Sequence, residues 1–302
     1  MTHTLTEVEP TRGAGGKGVG ATVTTFLVLV WAISAVFDSL IIRSGRVGGG
    51  RGVFSLGLMW SPAAAALLTA AIHRRPIATF GWVWGRTRYQ LLSYVIPLAY
   101  ASIAYGFVWA TGLGSVGNPA AVAAIAREYS WATWPAWVVA TGYVVLQATV
   151  SIIPACASAL GEEIGWRGFL VPELSRALSF TKVSIFSGVI WATWHYPILL
   201  FADYNAGTPA WYGLTCFTVM VVGMSFILAW MRLRSGSLWT GMLLHGSHNL
   251  FVQTVFNPFT TNTGRTRYFT GEFGAALAVV AVVAAVIAWR ARGAVEGNGT
   301  GD

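Results

Sequence analysis

Two adjacent carboxylates followed by an arginine are the sharpest chemical feature of the sequence. Glu162, Glu163 and Arg167 lie in the stretch GEEIGWRGF at 161–169. In a helix, Glu163 and Arg167 share a face, whereas Glu162 points about 100° away from Glu163. One carboxylate would then pair with the arginine, and the other, less solvated, could act as a base. The alternative interpretation is a solvated turn of charge at a helix end.

Two further polar groups interrupt apolar stretches later in the chain. His195 lies about thirteen residues into the apolar stretch 183–202, one turn after Trp191. His245 and Asn249 are four residues apart in 237–256 and share one helical face, with His248 offset from them. An ionisable side chain is costly inside an apolar membrane helix, so by default it indicates a functional site. Packing and interhelical hydrogen bonding are the structural alternatives for these side chains.

The composition indicates a membrane protein. Hydrophobic residues make up 55% of the chain and charged residues only 10%, against roughly a quarter charged in soluble domains. The net charge of +8 does not indicate nucleic acid binding, because the basic residues flank apolar stretches in pairs and form no stripe. Cys156 and Cys216 both lie in apolar stretches, where we expect packing roles.

The predicted fold class is all-α, a polytopic membrane helix bundle with about eight transmembrane helices. A membrane-spanning helix needs about 20 apolar residues. Residues 74–90 and 159–181 are expected to connect spans without crossing. The predicted spans are 21–42, 53–72, 91–113, 135–158, 183–202, 210–231, 237–256 and 272–290.

The distribution of basic residues predicts the orientation. Thirteen of the 19 Lys and Arg residues fall on the side that also holds both termini. The positive-inside rule therefore predicts that both termini are cytoplasmic. We expect a multi-pass protein of the plasma membrane. The three polar groups would then lie in or beside the cytoplasmic half of the bilayer. Glu162 and Glu163 would then lie closer to the cytoplasmic surface than His195, unless their segment enters the bilayer.

These residues resemble the motifs of the CAAX-protease and bacteriocin-processing family of intramembrane proteases, abbreviated CPBP and also called Abi. The resemblance covers about 135–256. Trp191 departs from the family pattern, which usually has Phe at that position. The matching positions are Glu162, Glu163 and Arg167, then Trp191 with His195, then His245 with Asn249.

Composition and the predicted spans divide the rest of the chain into a disordered cytoplasmic tail at 1–20, N-terminal helices with an amphipathic connector at 21–134, and the last span with a short tail at 257–302. The resemblance implies that 135–256 is a four-helix catalytic core, and it implies a role for each site residue. Glu162 and His195 would activate water. Glu163 and Arg167 would position Glu162 or complete the site, and His245 and Asn249 would stabilise the oxyanion.

The expected activity is an intramembrane endopeptidase that cuts membrane-associated peptides or protein termini near the cytoplasmic face. Its partners would be a peptide or protein substrate, lipidated or not, and membrane lipid, with no nucleic acid. Zn²⁺ held by Glu162, His195 and His245 and a metal-free Glu/His mechanism are equally open. The alternative is a non-enzymatic transporter or scaffold that uses the cluster to bind protons or a cation. Substrate, oligomeric state and biological role stay open.

Overall fold

The computed structural model describes residues 14–205 and 207–296. The described chain is a bundle of helices, which confirms the predicted fold class. Of the tail predicted at 1–20, residues 1–13 lie outside the described residues and residues 14–20 are helical. Residues 297–302 of the predicted C-terminal tail also lie outside the described residues. The elements are α1 (Ala14–Ser44), α2 (Val53–Ile72), α3 (Thr87–Ala110), β1 (Ser115–Val116), α4 (Pro119–Glu128), α5 (the helical run Ala136–Ser175), α6 (Phe180–Phe201), α7 (Ala210–Ser235), α8 (Trp239–His248), β2 (Thr260–Thr261) and α9 (Ala275–Arg290).

Among the described residues, six helices are long and apolar enough to cross a membrane, namely α1 from Gly18 onwards, α2, α3, α5, α6 and α7. The other two predicted spans, 237–256 and 272–290, are not among these six helices. The helix α9 has 16 residues, and α8 passes after His248 into a π-helix, Asn249–Phe256. Many large apolar side chains on the outside of the bundle are exposed, and those of Val28, Ile103 and Ile153 are 62–69% exposed. Lipid would cover such a surface, so the chain is a multi-pass membrane protein.

The helix α5 is longer than the sequence predicted. The predicted span ended at residue 158, but the helix continues unbroken to Ser175 over 40 residues. The prediction of a connector is therefore wrong for 159–175. The helix does not end at its charged residues because Glu163 and Arg167 pair within it, 2.8 Å apart. Arg167 is 1% exposed, so it is not one of the surface charges that set orientation.

The length of α5 removes the predicted mismatch in depth between the glutamates and His195. Glu162 lies thirteen residues before the end of α5 at Ser175, and His195 lies fifteen residues after Phe180 at the start of α6. At 1.5 Å per residue, both are roughly 20 Å from the turn that joins the two helices. No inward dip of a separate segment is needed.

Glycines let neighbouring helices approach α5 closely. A Cβ at Gly165 would lie 2.4 Å from Pro62, so α2 packs directly on this face. On another side, a Cβ at Gly241 of α8 would lie 2.5 Å from Oε2 of Glu163. A Cβ at Gly246 would lie 2.7 Å from the Cys156 sulfur. The small residues therefore bring α8 and its histidines against the carboxylates of α5.

The segment 74–90, predicted to connect spans without crossing the membrane, also contacts the start of α8. The carbonyl of Gly81 accepts from the backbone N–H of Leu238, and the carbonyl of Trp82 accepts from the Trp239 indole, both at 2.7 Å. These bonds hold the segment over the turn that precedes α8. The indoles of Trp82 and Trp84 stay 37% and 49% exposed, as suits a membrane interface.

Candidate functional site

A cavity of about 320 Å³ is lined by residues of α1, α2, α5, α6, α7 and α8. Four of the predicted site residues line it together: Glu162, His195, His245 and Asn249. Glu163 and Arg167 do not line the cavity and lie behind it. The remaining walls are largely apolar, and the sequence did not predict them. They include Leu58, Met59, Phe217, Met220 and Met224.

Glu162 presents one oxygen to donors and leaves the other for the cavity. Its Oε2 accepts from the indole N–H of Trp191 at 2.7 Å and from that of Trp166 at 3.3 Å. No described side chain donates to Oε1. The residue is 2% exposed, so this carboxylate is held by neutral donors in a place that bulk water barely reaches.

Glu163 is the centre of a buried charged cluster. Its Oε1 accepts from Arg167 Nη1 at 2.8 Å and from His245 Nδ1 at 3.0 Å. Its Oε2 is buried and has no hydrogen-bond partner among the described residues. The predicted pairing of Glu163 with Arg167 is confirmed. Because a carboxylate fixes the Nδ1 side of His245, the Nε2 side is the one left for the cavity that this histidine lines.

Trp191 connects the two glutamates. Its indole donates to Glu162, and the Arg167 guanidinium lies over its ring, 4.1 Å from the centroid. The His245 ring meets the same indole edge to face, with centroids 5.2 Å apart. A phenylalanine, usual at this position in the family that the motifs resemble, would keep the ring contacts and lose the N–H. The departure from the family pattern therefore adds a donor to Glu162.

His195 is oriented by a break in α6. Pro197 cannot donate a backbone hydrogen bond and distorts the helix before it. The backbone N–H of His195 donates to Ala192, and the carbonyl of Trp191 is left to accept from His195 Nδ1 at 2.9 Å. A carbonyl can only accept, so Nδ1 carries a proton. In the neutral ring Nε2 is therefore an acceptor, as a water-activating histidine requires.

Asn249 lies where α8 changes into its π-helix. It lines the cavity, and no side-chain hydrogen bond joins it to another described residue. Two further π-helices lie in α5, Gln147–Ser151 and Ile164–Leu170, and the latter begins directly after Glu163. Such segments occur often at functional sites. None of the three was predicted from the sequence.

A second polar group on the cavity wall was not predicted from the sequence. Glu272, in the loop before α9, lines the cavity with Tyr204 and His248. Its Oε1 lies 3.0 Å from His248 Nε2, and its Oε2 accepts from the Tyr204 hydroxyl at 2.9 Å. Tyr100 completes the group with a short hydrogen bond to His248 Nδ1. A lone carboxylate beside an apolar span was the available signal for Glu272.

The zinc hypothesis finds no ligand set in the described residues. Within 14–205 and 207–296, no three His, Cys, Asp or Glu side chains are grouped so that they could hold a metal ion. Glu162, His195 and His245 line one cavity, but Nδ1 of His245 is occupied by Glu163. Zinc at these residues stays a prediction, and no step below depends on it.

Comparison with known proteins agrees with the motifs. Residues 144–251 match the family model described as type II CAAX prenyl endopeptidase Rce1-like. The matched segment lies within the helical core and makes up just over a third of the chain. The match contains all six predicted site residues together with Trp191, and it confirms the resemblance to CPBP proteases.

The chain is also similar to CAAX prenyl protease 2 of Methanococcus maripaludis, with 34% identity over 80 residues. That similarity covers 24% of this chain and 28% of the relative. The aligned part is thus well under half of either protein. It supports the family of the core and leaves the activity of the whole chain to be tested.

Proposed function

We propose that the protein is an intramembrane endopeptidase that hydrolyses peptide bonds of membrane-associated peptides or protein termini. The supporting observation is that Glu162, His195, His245 and Asn249, drawn from three helices, line one buried cavity. The family of the core agrees with this chemistry. We place the protein in the plasma membrane with both termini cytoplasmic, so that cleavage occurs near the cytoplasmic face.

In the proposed mechanism, Glu162 takes one proton from a water molecule, and Nε2 of His195 accepts a hydrogen bond from the same water. The water oxygen adds to the peptide carbonyl carbon, and the carbonyl oxygen becomes an oxyanion. Asn249 and the cationic form of His245 donate hydrogen bonds to it, which a dry cavity strengthens. Glu162 then passes its proton to the leaving amine as the carbon–nitrogen bond breaks.

Glu163 and Arg167 act behind this site. The carboxylate of Glu163 holds Nδ1 of His245, so that Nε2 can serve the oxyanion. Arg167 compensates the charge of Glu163 and packs on Trp191, which holds Glu162. We propose that these two residues position the reacting groups and do not touch the substrate.

The test uses the full chain purified in detergent and a library of membrane-associated peptides. Wild type is compared with Glu162→Ala, His195→Ala and His245→Ala, each checked for folding by thermal unfolding. Cleavage in H₂¹⁸O should place one ¹⁸O in the new carboxyl group and should be lost in all three variants. Cleavage that persists in the three variants would refute the site. Metal analysis of the same samples decides whether zinc accompanies activity.

A further inference from the structure

The cavity has a second polar wall that the proposed hydrolysis does not use. It consists of Tyr100, Tyr204, His248 and Glu272, and we call it the Glu272 cluster. Glu272 is 7% exposed and His248 3% exposed. Buried carboxylates are costly unless they are fully hydrogen-bonded, so a cluster of this kind in a membrane bundle needs a reason.

Glu272 ties together two elements that are distant in sequence. Its Oε2 accepts from the hydroxyl of Tyr204, which lies between α6 and α7. Its Oε1 is 3.0 Å from Nε2 of His248, the last residue of α8. Tyr100 of α3 closes the other side of the His248 ring. Both oxygens of the carboxylate are therefore used to hold neighbouring side chains.

Tyr204 and His248, the two side chains that Glu272 holds, each lie beside a residue of the proposed hydrolytic site. The ring of Tyr204 is nearly parallel to that of His195, at 23° with centroids 6.2 Å apart. The His195 ring is otherwise enclosed by Trp194 and Phe217. His248 immediately precedes Asn249, at the point where α8 changes into the π-helix. A shift of Tyr204 would free one face of His195, and a shift of His248 would rotate Asn249.

We propose that Glu272 is a positioning residue that sets the orientation of His195 through Tyr204 and of Asn249 through His248. This inference rests on the proposed function and deepens it, because Glu272 lies outside the motifs and outside the matched segment 144–251. The Glu272 cluster therefore links His195, the water-activating histidine, to Asn249, the oxyanion donor. Glu162 and Glu163 act on the same site from α5.

The chemistry of the cluster requires a carboxylate. A carboxylate accepts hydrogen bonds at both oxygens, whereas an amide accepts at one end and donates at the other. A glutamine at 272 could keep the bond from Tyr204 or the bond from His248, but not both in their present form. Glu272→Gln therefore has almost the same shape and either loses one of the two links or forces His248 into the other tautomer.

The kinetic test compares Glu272→Gln and Tyr204→Phe with the control Glu128→Gln on one cleavable membrane peptide. Glu128 is exposed at the end of α4, away from the cavity. Misplacing a catalytic group by about 1 Å can cost about 100-fold in rate. We expect kcat to fall about 10- to 100-fold in both cluster variants, with KM within about threefold of wild type. Rates equal to those of Glu128→Gln would overturn the proposal while leaving the proposed function intact.

A second measurement decides the same question without any activity. Ring ¹⁵N signals of the histidines are recorded by NMR in detergent, with His73 as an internal reference outside the cavity. Glu272→Gln and Tyr204→Phe should both move the His195 signals, although Glu272 does not touch that ring, and Glu128→Gln should not. His195 signals that stay fixed in both cluster variants would overturn the proposal. A chain that cleaves no peptide but shows the shift would refute only the proposed function.

Discussion

The hydrogen bond from Trp191 to Glu162 gives a sharp test of how the carboxylate is held. Trp191→Phe keeps an aromatic ring between Arg167 and His245 and removes the indole N–H that lies 2.7 Å from Oε2. The only other described donor to that oxygen is Trp166, at 3.3 Å. The ionised base would lose its shorter hydrogen bond in a site where water cannot easily replace it.

The size of the effect follows from the position of the base. The bond stabilises the ionised carboxylate and does not by itself speed proton uptake, so its loss lowers kcat by letting Glu162 move. Misplacing a catalytic group by about 1 Å can cost about 100-fold in rate, so we expect kcat to fall roughly 10- to 100-fold. The longer bond from Trp166 should matter less, so Trp166→Phe should cost less activity than Trp191→Phe.

The assay is steady-state cleavage of one membrane peptide, with thermal unfolding measured in parallel. Trp194→Phe is the matched control, because Trp194 is buried on the same helix and donates at 2.7 Å to the neutral hydroxyl of Ser34. The phenylalanine would keep an aromatic ring against His195, which the Trp194 ring meets edge to face. Both substitutions remove the same atoms from α6. We expect similar losses of stability, of about 1–3 kcal/mol, and a clearly larger loss of kcat for Trp191→Phe.

The reasoning would be refuted by a Trp191→Phe protein that keeps wild-type kcat while its stability falls as in Trp194→Phe. The indole N–H would then be a packing detail, and Glu162 would not depend on it. An equal loss of kcat in both variants would also contradict the argument, since it would trace the effect to ring volume.

Two further predictions concern the packing behind the site. Arg167→Met leaves Glu163 buried without its counter-ion, which should lower the free energy of unfolding by about 3–5 kcal/mol. Denaturant unfolding measures this loss. Restored stability in the double variant Arg167→Met with Glu163→Gln would confirm that the unpaired charge is the cause. Gly165→Ala places a Cβ 2.4 Å from Pro62 and should destabilise the bundle, whereas Gly106→Ala, with open space around it, should not. Equal melting temperatures for the two alanine variants would rule out the close approach of α2 to α5.

The sequence predicted the class of fold and the residues that meet at the cavity. Hydropathy located the apolar helices because lipid imposes length and composition on each span. The scarcity of charge in those helices made Glu162, His195 and His245 conspicuous. That these residues line one cavity follows from the bundle and agrees with their proposed common role.

The continuation of α5 could not be predicted from local composition. A pair of glutamates and an arginine lowers the hydropathy of 159–175, and such a segment is typical of a connector. In the folded chain the same charges compensate one another, since Arg167 pairs with Glu163 at 2.8 Å and Trp191 donates to Glu162. Partners that come from other helices are invisible in the sequence of one segment.

Glu272 is a second residue whose partners could not be predicted from the sequence around it. A single carboxylate at the start of an apolar stretch indicates a buried polar contact but names no partner. Tyr204 and His248 are 68 and 24 residues away in sequence. Only the packing of the loop before α9 against α8 brings them together.

The most direct test of the proposed mechanism is the rate of peptide cleavage by Glu162→Gln compared with Glu128→Gln. The glutamine is nearly isosteric and can still accept from Trp191, but it cannot take a proton from water. General-base catalysis is worth about 10²- to 10⁴-fold, so kcat should fall by that factor in Glu162→Gln and stay at the wild-type value in Glu128→Gln. A folded Glu162→Gln protein that cleaves at the wild-type rate would contradict the assignment of Glu162 as the base.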